Sequence, residues 1–429
     1  MAFLIVLASL CFLMFVAYRG YSVILFAPIA AMGAVLLTDP ILVAPMFTNL
    51  FMVKAAGFVQ LYFPVFLLGA VFGKVIELAG FSKAIVAAVI KLIGRERAIF
   101  AIVAVCAILT YGGVSLFVVV FAVYPFAAEM FKQGGIPKRI IPGTIALGAF
   151  TFTMDSLPGT PQIQNVMPGN TFGTNIYAAP YLGIIGALFI IVIGMTYLEW
   201  LRRSAAKAGE GYGTNHVNEP EPFDETHEKL ANPFIAILPL VLVGVINYIL
   251  TKHVLPDVFS ASHLPDMIND KGVMSFINDI VRKTKSTAEI KSVLGIWSVE
   301  AALLVGVLSV IVLAFKPVIS KFAEGTKSAI GGALLASLNT ASEYGYGGVI
   351  AAMPGFLVVS SALSAIPNPL VNEAITVTTL AGITGSASGG MGIALAAMGE
   401  VFKANAAAAG IPLEVFHRVA AMASGGCDT

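Results

Sequence analysis

Three carboxylates stand in stretches otherwise too apolar to hold a charge: Asp155, Glu343 and Asp428. Ionisable side chains within a membrane span face the protein interior or a wet cavity, and they mark ion or substrate pathways. Asp155 lies in MDSLPGTPQIQN at 154–165 and Asp428 in SGGCDT at 424–429. Glu343 sits mid-span beside Asn339, Thr340 and Ser342. Holding a charge there costs about 3 kcal/mol, which suits a residue that exchanges protons. The plainer alternative is a carboxyl bonded to the neighbouring hydroxyls. Asp155, Glu343 and Asp428 are therefore the expected proton-coupling residues.

Small polar residues and glycine pairs interrupt the same stretches, as TYGGVS at 110–115 and GSASGGMG at 385–392. Adjacent glycines weaken a helix. A helix that restarts beyond such a break offers free N–H groups and partial positive charge to an anion. The expected substrate contacts are Thr110, Tyr111, Gly112, Gly113 and Ser115 from the first break, and Ser386, Ser388, Gly389 and Gly390 from its counterpart. Ser156, Thr160, Gln162 and Asn165 join them from the proline-rich break, with Thr429 at the last one. The competing view is that these glycines serve only close helix packing.

Other polar residues read more plainly. Lys74 and Glu77, three apart on a helix, should pair or extend to the cytoplasmic face. Arg418 could meet a carboxylate but fits interfacial anchoring better, and His417 beside it is a weak relay signal. Cys11, Cys106 and Cys427 have no metal-ligand spacing and read as buried, inert thiols. No metal or other cofactor is expected.

The elements that must position these residues follow from composition. Hydrophobic residues make up 58% of 429 and charged residues 11%. Such a chain needs lipid as solvent, and nothing in its net charge of +1 points to nucleic acid. A spanning helix needs about 20 apolar residues. Candidate spans are 2–18, 21–37, 58–78, 98–131, 140–177 with a polar break, 179–201, 233–250, 293–314, 328–355, a broken stretch at 371–402, and 413–423. The 98–131 stretch is too long for one crossing, and basic residues flank both its ends: Lys91, Arg95 and Arg97 before, Lys132, Lys138 and Arg139 after. Both ends then face the cytoplasm, so the stretch is a re-entrant hairpin lining a cavity. Residues 202–231 have no face to bury and read as a flexible cytoplasmic linker.

Matches recur at one offset. Gly73 pairs with Gly348 and Gly80-Phe81 with Gly355-Phe356, as does Gly135-Ile136-Pro137 with Gly410-Ile411-Pro412, all 275 residues apart. Gly112-Gly113 matches Gly389-Gly390 at 277, and Asp155-Ser156 matches Asp428-Thr429 at 273. The repeated YGGV at 111 and 346, 235 apart, breaks this register and is set aside. Five crossings in the first half would turn the second copy over. The expected fold is an all-α polytopic membrane protein, an inverted-topology repeat with re-entrant hairpins and broken helices. Its parts are a first repeat at 1–201, the linker at 202–231, and a second repeat at 232–429 with a polar extracytoplasmic loop at 251–291. By the register of the first half, the second stops about 45 residues short.

The string TYGGVSLFVVVFAVYPF at 110–126, the Gly-Ile-Pro turn, the proline-rich break at 157–161 and SGGCDT together resemble the gluconate permease family, within the ion transporter superfamily of carboxylate carriers. The likeness spans nearly the whole chain. It implies proton-coupled symport of a small organic anion across the bacterial inner membrane, with a homodimer allowed. Those permeases typically carry an acidic residue at the hairpin tip where Gly112 stands here, and a histidine in the proline break where this chain reads Asp155-Ser156-Leu157-Pro158-Gly159-Thr160-Pro161. These departures place 3-hydroxybutyrate or lactate level with gluconate. Sodium coupling and an anion channel stay open. An intramembrane aspartyl protease fits poorly, because Cys427 precedes Asp428 where glycine is needed and no tyrosine precedes Asp155.

Overall fold

Asn368 begins one of the helices that frame the polar breaks: its side chain accepts from Leu370 N at 3.0 Å and Val371 N at 3.2 Å, with Pro369 in the first turn. Caps of this kind satisfy N–H groups that the helix cannot. The structure, a computed structural model, describes every residue except 1, 215–218, 220–229, 259–286, 357, 359–365 and 428–429. The described residues contain helices and turns and no strand.

The helices are α1 (Ala2–Tyr18), α2 (Val23–Thr38), α3 (Val43–Met46), α4 (Met52–Leu78), α5 (Phe81–Ile93), α6 (Ala98–Tyr111), α7 (Leu116–Gln133), α8 (Ile141–Ala149), α9 (Ile163–Phe172) and α10 (Pro180–Lys207). Then follow α11 (Pro233–Ile249), α12 (Leu255–Val258), α13 (Thr287–Leu313), α14 (Phe315–Ala352), α15 (Pro369–Thr384), α16 (Ala387–Ala409) and α17 (Leu413–Ser424). Four stretches among the described residues are long and apolar enough to cross a membrane: Pro40–Leu78, Pro180–Lys207, Pro233–Val258 and Val293–Leu313. The chain is an all-α membrane protein. Along α10 the exposed side chains include Tyr181, Ile185, Leu188, Phe189 and Val192, a surface made for lipid rather than water.

The order of elements repeats. Helices α6 and α7 form a hairpin, as do α15 and α16, and each hairpin leads into a short helix, α8 or α17. Gly135 (φ 60°) and Gly410 (φ 64°) stand at the same place after α7 and α16, each followed by Ile-Pro. The left-handed turn suits glycine, and the proline blocks further helix. Helices α4 and α14 pack side by side, with α13 against α4 and α2 against α14. Small residues permit the approach: a Cβ on Gly345 would lie 2.9 Å from Phe51 O, just before α4, and one on Gly306 of α13 would lie 2.9 Å from Phe72 Cε2 of α4.

Several expectations change. The interruption placed at 385–392 is only Gly385 and Ser386, because Gly389 and Gly390 already belong to the first turn of α16. The proline-rich break lies earlier than the expected 154–165, running from Phe150 to Gln162, because Ile163, Gln164 and Asn165 already belong to α9. Helix α5, for which the sequence offered no span, is an amphipathic element with Phe81, Ala84 and Ile85 buried. The 202–231 linker is held at its start: α10 continues to Lys207, Arg139 pairs with Glu210 at 2.8 Å, and Lys138 with Glu219 at 2.6 Å. The loop at 251–291 is helical at both ends, in Leu255–Val258 and from Thr287. Cys106 is buried as expected, whereas Cys11 lies on the exposed face of α1.

Candidate functional site

Three helices begin at one cavity of about 1300 Å³. Ser115 and Leu116 open α7, Gln162, Ile163 and Gln164 open α9, and Ser386, Ala387 and Ser388 open α16, and all of these residues line it. No side chain caps α7 or α9. At α16 Ser386 Oγ accepts from Gly389 N at 3.1 Å. Each such end carries roughly half a positive charge, so three ends around one space give it a positive potential although no arginine lines it. The tight turn into α7 depends on Gly113 (φ +94°), where a Cβ would also approach Leu303 at 3.0 Å and Pro161 at 3.3 Å.

Neutral polar groups complete the deep end. Asn339 Oδ1 and Gln164 Oε1 are buried acceptors without a partner, and Thr340 Oγ1 lies 3.2 Å from Ser388 Oγ. From there the cavity follows α4 from Val65 to Lys74 and Glu77, which pair at 2.8 Å as the sequence predicts. Lys83 and Ser328 stand at that same end, and Glu77 and Ser328 are exposed.

Of the expected contacts, the cavity walls include Gly113, Ser115, Gln162, Ser386 and Ser388. The other described ones are not part of those walls. Gln162 Nε2 donates to Thr110 O at 2.8 Å and Val114 O at 3.2 Å, so it ties the hairpin tip to the proline break. Tyr111 donates to Pro158 O at 2.9 Å. Gly112 packs under Leu240, and Gly390 against the backbone of Ala381. Asp155, Ser156 and Thr160 are buried in the break, with Ser156 Oγ donating to Asp155 Oδ1 at 2.5 Å. The Asp155 carboxylate also meets Gly425, and that of Glu343 meets Gly389 in the first turn of α16. Asp428 and Thr429 lie outside the described residues.

Arg418 departs most from its sequence reading. It is fully buried rather than interfacial. Its guanidinium donates to Ala178 O twice (3.1 and 2.9 Å), Asp155 O (2.9 Å), Ile176 O (3.1 Å) and Asn165 Oδ1 (2.8 Å). Those contacts use all five donors of the group, leaving none for a substrate. Asn165 in turn donates to Thr160 O at 2.9 Å and Ile176 O at 3.0 Å, while His417 Nδ1 lies 2.7 Å from Thr174 Oγ1. Arg418 therefore fastens the two non-helical stretches that flank α9, at 150–162 and 173–179, to α17. Asn339, Thr340 and Gln164 were not expected as contacts, and nothing but proximity to Glu343 and to the proline break singles them out.

No cluster of His, Cys, Asp and Glu able to hold a metal occurs among the described residues. No family model matches the chain. The chain is 53% identical, over 439 aligned residues, to a Bacillus subtilis (strain 168) protein named as the uncharacterized transporter YxjC. That likeness covers 100% of this chain and 90% of the relative. A membrane protein with a polar cavity among broken helices, related at that level along its whole length, is a transporter and not an enzyme; the chain belongs to the YxjC transporter family.

Proposed function

We propose that this transporter is a proton-coupled symporter for a small hydroxy-monocarboxylate such as gluconate, 3-hydroxybutyrate or lactate, akin to the gluconate permeases. The convergence of the N-termini of α7, α9 and α16 on one cavity carries the reading. The substrate carboxylate would sit among those helix ends. Its hydroxyl would donate to Asn339 Oδ1 or Gln164 Oε1, the buried acceptors left without a protein partner. The two repeats, 1–201 and 232–429, would run with opposite topology, and each would contribute to the site, as in other carriers with inverted repeats. With the basic flanks of the first hairpin in the cytoplasm, the Lys74–Glu77 end opens inward.

Glu343 supplies the coupling. Its carboxylate meets Gly389 in the same helix turn that would receive the anion. Two unit charges about 6 Å apart at an effective dielectric of about 20 repel by about 3 kcal/mol, about a hundredfold in affinity. A protonated Glu343 removes that repulsion, so proton and anion favour each other's binding. Linkage makes the effect reciprocal.

A proton is favoured over sodium by the fate of the unwound carbonyls. Such carbonyls coordinate Na+ in other carriers. Here those of Asp155, Ile176 and Ala178 bond to Arg418, and those of Thr110 and Val114 to Gln162. The test is uptake of the three acids into proteoliposomes under pH and sodium gradients imposed separately. Accumulation driven by pH and lost in Glu343→Gln, with counterflow exchange retained, supports the reading. Sodium-driven accumulation or an ohmic current contradicts it.

A further inference from the structure

Beside Asp155 and Glu343, a third buried acid stands outside the cavity lining. Glu373 lies in the second turn of α15 and is 0% exposed, and neither of its carboxylate oxygens has a hydrogen-bond partner. An isolated carboxylate taken out of water costs several kcal/mol after relaxation, whereas a neutral carboxyl without its bonds costs about 1–3 kcal/mol. The geometry thus points to Glu373 as a proton-binding carboxyl, loaded in this conformation and separate from the anion site.

Its place in the fold says how it would work. Helices α15 and α16 are antiparallel, with Ala381 against Gly390. Glu373 is eight residues before Ala381, about 12 Å along the helix towards the base of the hairpin. The cavity lies at the other end, beside Ser386 and Ser388. The same register brings Met398, fully buried, to the level of Glu373. Acid and anion site therefore occupy opposite ends of one hairpin, and a shift of that hairpin would expose one as it covers the other.

No charged group among the described residues answers Glu373. On α16, Glu400 and Lys403 pair with each other at 2.7 Å on the exposed side. On α17, His417 and Arg418 are engaged with Thr174 and the proline break, and Glu414 lies at the start of the helix. On α1, Cys11 is exposed and Tyr18 donates to Gly382 O at 3.0 Å. The remaining neighbour is the Gly425–Cys427 turn, whose Cys427 side chain lies outside the described residues.

This inference rests on the symport reading for its consequence but not for its first measurement. Infrared spectra of the purified full chain in lipid at pH 7 should contain a protonated-carboxyl band that Glu373→Gln removes and Glu373→Asp retains. In proteoliposomes, a pH gradient of about one unit can drive roughly tenfold accumulation for each proton that travels with the anion. With the Glu343 proton still available, Glu373→Gln should lower the accumulation of labelled gluconate and 3-hydroxybutyrate by about tenfold while counterflow persists. A band unaffected by the glutamine variant, or accumulation equal to that of the unsubstituted protein, overturns the assignment. If the unsubstituted protein accumulates neither acid, the symport reading fails and the infrared band alone decides whether Glu373 holds a proton.

Discussion

The carboxylate of Glu343 fills the space that a Cβ on Gly389 would need. An acid and a helix end are thereby held in contact, and any side chain at 389 must part them. Gly389→Ala should destabilise the protein by about 1–3 kcal/mol through overpacking, seen as a lower melting temperature. Shortening the acid as Glu343→Asp in the same protein should recover part of that loss. Additive effects of the two changes would show that the contact does not matter.

Arg418 is expected to be a matter of stability and not of recognition. Arg418→Met removes the side-chain donors from Asp155 O and Ala178 O, whereas Ile176 O keeps Gly159 N and Asn165 Nδ2, and each group left unsatisfied costs about 1–3 kcal/mol. Thermal unfolding should fall steeply, with Arg418→Lys between the two. The fraction that stays folded should bind anion with unaltered Kd. A raised Kd with normal melting would place Arg418 in the site after all.

Asn339→Leu should do the reverse. Replacing a buried acceptor that has no protein partner is near neutral for folding, while losing its bond to a ligand hydroxyl costs about 1 kcal/mol, roughly fivefold in Kd. The loss should appear for 3-hydroxybutyrate and not for butyrate, measured side by side. Equal losses for both acids would make Asn339 a packing residue.

The contact between the start of the linker and the 138–140 turn should be pH-sensitive. Hydrogen bonds from Arg139 hold the Glu210 carboxyl below its ordinary value. A folded value lowered in this way stabilises the contact fully above the unfolded value of about 4.3, and the effect fades as pH falls through the lower folded value. Amide exchange around 208–212 should therefore be slower than in Arg139→Ala at neutral pH, and equal to it in strong acid. A difference that persists in acid would mean the segment is held by other contacts.

Much of this architecture is legible in residue order alone. Apolar runs of spanning length need no partner to be recognised, because lipid sets the criterion and composition meets it. The break at Gly112-Gly113 is legible for a similar reason: glycine acts on its own backbone, and α6 stops at Tyr111, whereas the break around Pro158 already begins at Phe150. The glycine turns at Gly135 and Gly410, each followed by Ile-Pro, rest on local conformation in the same way.

What a side chain faces is not local. Asp155 and Ser115 have equal claims in the sequence, yet only Ser115 reaches the cavity, because the proline break turns Asp155 towards Gly425. Arg418 resembles an interfacial anchor until residues 155–178, some 240 positions away, wrap their carbonyls around it. Glu373 has no sequence mark to set it apart, since its isolation depends on what α16 and α17 fail to offer it. The sequence by itself determined which stretches are interrupted, because interruption is a property of the residues there, though not the bounds of each break. Only the tertiary structure decided which breaks meet and which charges stay alone, because that depends on pairing elements hundreds of residues apart.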